Sequence, residues 1–353
     1  MITLTLAQGL PIDETLANYS DLAYRTAFGI YALALVASLI YYASFRVAKV
    51  PHRELVGAGG TGAAGAGTAG VGSAGADADS GAELTASRSL TDTGDEDRAS
   101  DRNTRWARIA RLFIVIGFVF SAASLVLRGL STDRFPLGNM YEFILATTVL
   151  AVGAGLVFLR KPALQVAWPF VLLPVLVLLF VGGTNVYSDA APVVPALRSY
   201  WLPIHVSIIS LGSAILLIPG VASIMYLIRV WQPQGQETGW GARLARPLPA
   251  AETLDRLAYR TTVIGFPIFG VGILLGAVWA ESAWGRFWGW DPKETVSFIS
   301  WVLYAGYLHA RATSGWGPKR AAWINIAGFV VLVFNLFFIN IVVSGLHSYA
   351  GLN

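Results

Sequence analysis

Polar and charged residues along this chain are gathered into short stretches that separate long uncharged runs, at about 26–45, 112–127, 143–159, 163–186, 202–228, 261–278, 296–310 and 321–346. Each run predicts a helix that crosses a membrane, giving eight spans. Because a span needs roughly 20 apolar residues, the second, third and seventh runs must recruit flanking residues or sit where the bilayer is thinned. The predicted class is an all-α integral membrane protein of about eight transmembrane helices.

Composition agrees with that pattern. With 55% hydrophobic residues and 13% charged, and a mean hydropathy of +0.59, the chain is too apolar for one soluble core, and the lipid bilayer is its expected solvent. A formal charge of +4 and a pI near 9.3 raise the question of nucleic acid. The basic residues form no aromatic-interleaved patch and flank the hydrophobic runs instead, so no nucleic-acid partner is expected. The chain has no cysteine, which excludes disulfides, iron–sulfur ligation and thiol relay by its own side chains. Residues 1–25 lack the basic start, apolar middle and small-residue cleavage site of a secretory signal, so the first run is expected to be retained.

Loop charge orients the spans, since Lys and Arg accumulate on the cytoplasmic side. One set of loops and helix ends holds most of the 25 basic residues, among them Arg46, Lys49, Arg105, Arg160, Lys161, Arg243, Arg246, Lys319 and Arg320; the other holds Arg25, Arg128, Arg134, Arg198, Arg286 and Lys293. This places both termini outside the cell membrane. Gly57 to Ser100 is rich in Gly, Ala, Ser, Thr and Asp without apolar periodicity, the composition of a disordered cytoplasmic loop. The expected organisation is therefore an N-terminal part with the first span (1–56), a linker (57–104) and a seven-helix membrane domain (105–353). No internal repeat marks an inverted-repeat transporter.

The loop after the sixth run reads Trp279-Ala-Glu-Ser-Ala-Trp284-Gly-Arg-Phe-Trp288-Gly-Trp290-Asp291-Pro292-Lys293-Glu294, and holds four of the twelve tryptophans. An interfacial aromatic belt is the plain reading. The density of indoles, and the glycines at 285 and 289 that let a flat ligand approach the backbone, instead suit a planar macrocycle. Haem is apolar over its faces and anionic at its propionates, which Arg286 or Lys293 can meet. Asp291 and Glu294 spell a capping box for the seventh span, with Pro292 at N1; that role leaves room for a second one, because a helix start presents a positive dipole end. Spacing alone leaves open whether the loop is a helical turn or an irregular platform.

His205 begins the fifth span and His347 follows the eighth, so both fall at the level of the tryptophan loop. Two imidazoles at one depth could supply both axial nitrogens of a haem iron, against the alternative of helix-end histidines held by hydrogen bonds. His309 lies near the opposite end of the seventh span, too far along the axis to share that iron; it reads either as a second haem station or as a histidine tied to a helix-end carbonyl. His52, in a basic linker, reads as solvent-exposed.

The run from Trp284 to Glu294, followed by Trp301 and Tyr307-Leu-His309-Ala-Arg311, resembles the tryptophan-rich "WWD" haem-handling signature of the cytochrome c biogenesis proteins of the CcsA/ResC type, called CcsB in some bacteria. Leu137-Gly-Asn139-Met-Tyr141-Glu142, Tyr200-Trp201-Leu-Pro-Ile-His205 and Ser344-Gly-Leu-His347-Ser348 carry the resemblance from Phe135 to the C-terminus. It departs at Val296, where many members have tryptophan. The resemblance implies that His205 and His347 are external haem ligands, with Trp284, Trp288, Trp290, Asp291, Glu294 and Trp301 in the haem-binding segment. It makes His309 a transmembrane ligand paired with a histidine of a second membrane subunit. It further implies a system II holocytochrome c synthase that attaches haem b, held transiently as substrate, to the Cys-x-x-Cys-His motif of apocytochrome c, by positioning and without a catalytic side chain on this chain. A haem exporter without attachment activity, or a membrane electron-transfer cytochrome, are the rival readings; the latter usually needs two histidines per haem inside the spans.

Overall fold

The computed structural model describes residues 12–45, 79–191, 198–340 and 342–347, with the backbone alone along 79–103. His52 and the first half of the expected linker lie outside these residues. Among the described residues all regular structure is helical: α1 (Glu14–Ala43), α2 (Asp79–Thr132), α3 (Met140–Phe158), α4 (Trp168–Thr184, after a 3-10 turn Pro162–Ala167), α5 (Trp201–Trp231), the short α6 (Gly241–Ala245), α7 (Ala251–Trp284), α8 (Pro292–Ala312) and α9 (Pro318–Phe334). A π-helical turn, Asn335–Ile339, continues α9.

Local chemistry sets the helix ends. Asp13 caps α1 by accepting from the N–H groups of Thr15 and Leu16 at 2.9 and 3.0 Å, and Asn139 caps α3 through Glu142 N–H at 2.9 Å; both satisfy donors that a helix start leaves free. Proline at the first positions of α8 and α9 fits where no N–H is needed. The second, third and seventh runs do recruit flanking residues, reaching 104–132, 140–158 and 292–312. The backbone from Asp79 onward is helical and continuous with the second span, where composition leads us to expect no structure. Extending an existing helix costs far less than nucleating one.

The protein is an all-α, multi-pass integral membrane protein. Among the described residues seven helices are long and apolar enough to cross a bilayer, α8 being left out by that composition. Yet α8 lies antiparallel to α7 over its full length. Arg286, just past the end of α7, pairs with Glu294 at the start of α8 at 3.2 Å, and Arg311 at the end of α8 pairs with Asp255 at the start of α7 at 2.5 Å. At 21 residues α8 is shorter than the 34-residue α7, but an ion pair at each of its ends holds it alongside that spanning neighbour.

Exposure is inverted relative to a water-soluble bundle. Leu22, Leu33, Val36, Leu130, Leu173 and Leu274 are more than half exposed, while Arg128, Glu142 and Ser124 are fully buried, as expected where lipid is the outer solvent and polar groups pair inside. α5 and α7 form the tightest pair. A Cβ at Gly212 would lie 2.6 Å from the Phe269 backbone and one at Gly272 would lie 2.7 Å from Ile209 Cα, so small residues on each helix let the two backbones close up.

Two arginine clusters tie off the bundle. At one end the Glu142 carboxylate receives Arg134 at 2.8 and 2.9 Å, Arg128 at 3.4 Å and the Gly138 N–H at 2.7 Å, and Arg128 also reaches Asp21 of α1 at 3.6 Å. At the other end Arg229 donates to Glu237 at 2.6 Å and to the carbonyls of Ala245 and Pro249 at 2.5 and 3.2 Å. Asp13, whose N–H donates to the Ser131 carbonyl at the end of α2, and His347 beside the start of α8 both lie at the Glu142 end.

Candidate functional site

A cavity at the Glu142 end is walled by α3, α5, α7, α8 and the π-turn, with His205, His347, Trp279, Trp288 and Lys293 among its lining. His205 stands on the first turns of α5 and turns its ring toward α7, where Nδ1 lies 2.9 Å from the carbonyl oxygen of Gly272. A carbonyl only accepts, so Nδ1 carries the hydrogen and Nε2 is left with the lone pair. Gly276, one turn further along α7, makes room for the ring, since a Cβ there would sit 2.7 Å from His205 Cε1.

His347 reaches the same cavity from the segment beyond the π-turn. Its Nδ1 lies 2.7 Å from Asp291 Oδ2, while Asp291 Oδ1 accepts the Leu346 N–H at 2.8 Å. Burial pushes the Asp291 carboxyl up, but the hydrogen bonds from His347 and Leu346 outweigh it and hold the group below the usual carboxylate range. An ionised Asp291 only accepts, so here too Nδ1 carries a hydrogen, and Asp291 leaves Nε2 unengaged. Gly345 is needed for this close seat, since a Cβ there would meet Asp291 Oδ1 at 2.7 Å.

Trp279 touches both imidazoles. Its ring lies parallel to His205 within 10° at 5.8 Å and edge-on to His347 at 5.6 Å. Trp284 packs edge-on to Trp279 at 4.7 Å and to His347 at 5.0 Å. Trp279 is 1% exposed and its indole N–H has no partner, a buried donor of the kind seen where a polar ligand belongs.

The tryptophan segment is thus split between a helix and a turn. α7 continues through Trp279 to Trp284 and stops at Gly285, whose φ of 70° is the left-handed conformation that ends a helix; only 285–291 form the irregular connection. The Asp291–Glu294 capping box is present, with Glu294 accepting the N–H groups of Asp291 and Gly289 at 3.0 and 2.9 Å. Trp290 takes a positive φ of 58°, is 66% exposed, and touches Trp288 edge-on at 5.7 Å. Of the residues singled out in the sequence, His205, His347, Trp288 and Glu294 line the cavity, and Trp284 and Asp291 lie against His347. Trp290 does not face it. Trp301 stacks on Phe266 at 5.0 Å and on Phe298 at 6.3 Å along the flank of α7 and α8, and His309 is exposed at the opposite end of α8.

Sequence reasoning grouped Trp279 with the loop and missed it as the residue that touches both histidines. It also gave no place to Asn335 or Asn340 of the π-turn. The signal for Trp279 was its position at the end of an apolar run; the π-turn has no local signature. Of the two cations expected to meet a carboxylate, Arg286 is already paired with Glu294 at 3.2 Å, whereas Lys293 lines the cavity.

Residues 137–347 match the family described as cytochrome c assembly protein. The chain is 36% identical over 270 residues to a cytochrome c biogenesis protein CcsA of Synechococcus sp. strain RCC307, covering 69% of this chain and 85% of that one. To the CcsA protein of Guillardia theta it is 36% identical over 241 residues, covering 64% and 80%. To that of Gloeobacter violaceus it is 34% identical over 278 residues, covering 65% and 82%. Among solved structures, the cytochrome c haem lyase CcmF aligns with a TM-score of 0.57 at 17% identity over 94% of this chain; this chain spans about half the length of that protein, 47%, and the likeness is one of fold. Sequence, helix order and the matched segment agree: the chain belongs to the cytochrome c assembly protein family, among the CcsA cytochrome c biogenesis proteins that act in cytochrome c maturation.

Proposed function

We propose that this chain is the haem-binding subunit of a system II holocytochrome c synthase in the plasma membrane. In this reading the cavity end faces outward and both termini are extracytoplasmic, as the distribution of basic residues favours. His205 and His347 hold haem b at that face, and the chain presents it to the Cys-x-x-Cys-His motif of apocytochrome c. The observation that carries the proposal is the pair of imidazoles lining one cavity, each with Nδ1 tied to an acceptor, which leaves Nε2 as the nitrogen free for a metal. Histidine ligands are regularly oriented by such a carbonyl or carboxylate partner.

The bound haem supplies the vinyl groups to which the substrate's thiols add. The chain's contribution is position. His205 and His347 fix the iron, Trp279 and Trp284 cover an apolar face, and the thiols gain from meeting a vinyl edge already held in place. No covalent intermediate on this chain is required. His309, exposed at the opposite end of α8, is suited to share a second haem with a histidine of a partner membrane subunit, from which haem would pass outward.

Absorption spectra of the purified protein, with and without its membrane partner, test the proposal. The wild type is expected to show a bis-histidine haem spectrum. His205→Ala and His347→Ala should lose it and abolish holocytochrome c formation while the protein stays in the membrane; normal maturation in both variants would sink the reading.

A further inference from the structure

The path that leads α9 to His347 changes pitch before it ends. Asn335–Ile339 forms a π-turn, a local widening that recurs at functional sites because it turns side chains out of the α-helical register. Here Asn335 and Asn340 line the cavity, 4% and 8% exposed. Lys293 and Ser297 face them from the first turns of α8, and Ser210 joins from α5. Lys293 with Asn340 and Ser297 with Asn335 make a hydrogen-bonded polar chamber, with Ser210 on the lining of the same cavity.

The chamber is under-satisfied. Asn335 Oδ1 and Ser210 Oγ are buried without partners. Asn335 Nδ2 donates to Ser297 Oγ at 2.7 Å; since a hydroxyl both donates and accepts, the amide can be turned over and offer its N–H2 group to the cavity instead. Lys293 donates to Asn340 Oδ1 and lies 5.5 Å from the centre of the Phe143 ring. Among the described residues no carboxylate stands within ion-pair distance of its ammonium. Asp291, the acidic neighbour, has its two oxygens engaged by Leu346 and His347. A cation drawn from water and left without a counter-ion is costly, and an arriving carboxylate would relieve that cost through charge-assisted hydrogen bonds.

We propose that Lys293, Ser210 and Asn335 form a carboxylate site that receives a propionate of the tetrapyrrole held by His205 and His347. The inference rests on the haem-holding reading above and adds the orientation of the ring. With its acidic edge on Lys293, the opposite, vinyl-bearing edge would face away from the first turn of α8.

The test is a titration of the purified protein with haem and with haem dimethyl ester, in which the iron is unchanged and both carboxylates are blocked, followed by absorption. Wild-type protein is expected to bind the ester at least about tenfold more weakly than the free acid, the scale of a lost charge-assisted hydrogen bond. Lys293→Gln should weaken binding of the free acid and leave the ester unchanged, so that the preference falls to within about twofold. Equal binding of both ligands by the wild type, with a bis-histidine spectrum, would overturn the carboxylate site and leave the haem reading standing. Failure to bind either would remove both. Full discrimination retained in Lys293→Gln would overturn the assignment to Lys293.

Discussion

His205 and His347 carry the same side chain on unequal supports. One ring stands on a helix and is tied to a main-chain carbonyl at 2.9 Å; the other follows the π-turn and depends on one carboxylate at 2.7 Å. On the haem-holding function proposed above, Asp291→Ala should therefore behave as a weaker His347→Ala, lowering haem affinity by about 10–100-fold, the usual effect of deleting a ligand's orienting partner, and shifting the iron from six-coordinate low spin toward five-coordinate high spin with His205 retained. Electron paramagnetic resonance of the ferric protein checks this, and an unchanged low-spin signal would show that Asp291 only caps α8. The residue types of this centre were readable in the sequence because histidine and clustered tryptophan are rare at span ends. The pairing of the two histidines was readable too; the partners that support them were not. Whether Trp279 belongs to a loop or a helix depends on where α7 stops, and the choice between Arg286 and Lys293 depends on Glu294 folding back to take the arginine.

The helices that carry these residues are held by a few buried charges. Arg229, 2% exposed, gathers the chain between α5 and α7 by donating to Glu237 and to several carbonyls, a task for which the arginine fork is suited. Arg229→Met would leave those acceptors unpaired and should cost on the order of 3 kcal/mol, visible as a lower unfolding temperature in detergent. Burial pushes the Glu237 carboxyl up, but its hydrogen bond from Arg229 prevails and holds it below its ordinary value. A depressed carboxyl contributes stability that is present above its unfolded value, near 4.3, and lost as pH falls through the lower folded value. The wild-type loop should thus loosen only in acid, while Arg229→Met should be insensitive to pH over that window; limited proteolysis between α5 and α7 across the acid range tests the difference. The sequence showed the helices of this region but not their clamp, since a lone arginine at the end of an apolar run reads equally as an interfacial charge.

The eight apolar runs become eight long helices, α1–α5 and α7–α9, seven of them long and apolar enough to cross a bilayer, so the helical architecture was legible from hydrophobic length, including the need for the short runs to borrow neighbours. The helix before residue 104 was not legible, because composition reports what a segment can do by itself and not that a following span extends into it. The absence of cysteine makes the orientation directly testable. Thr15→Cys and Ser344→Cys, both exposed at the cavity end, should react with a membrane-impermeant maleimide on intact cells, and Ser314→Cys, exposed at the other end, should not; the reverse pattern would turn the protein over. The hydrogen bonds that hold Asp13 to the end of α2 and His347 to the start of α8 have a topological consequence here: a domain joined beside Asp13 or beyond His347 is delivered to the same compartment as the cavity.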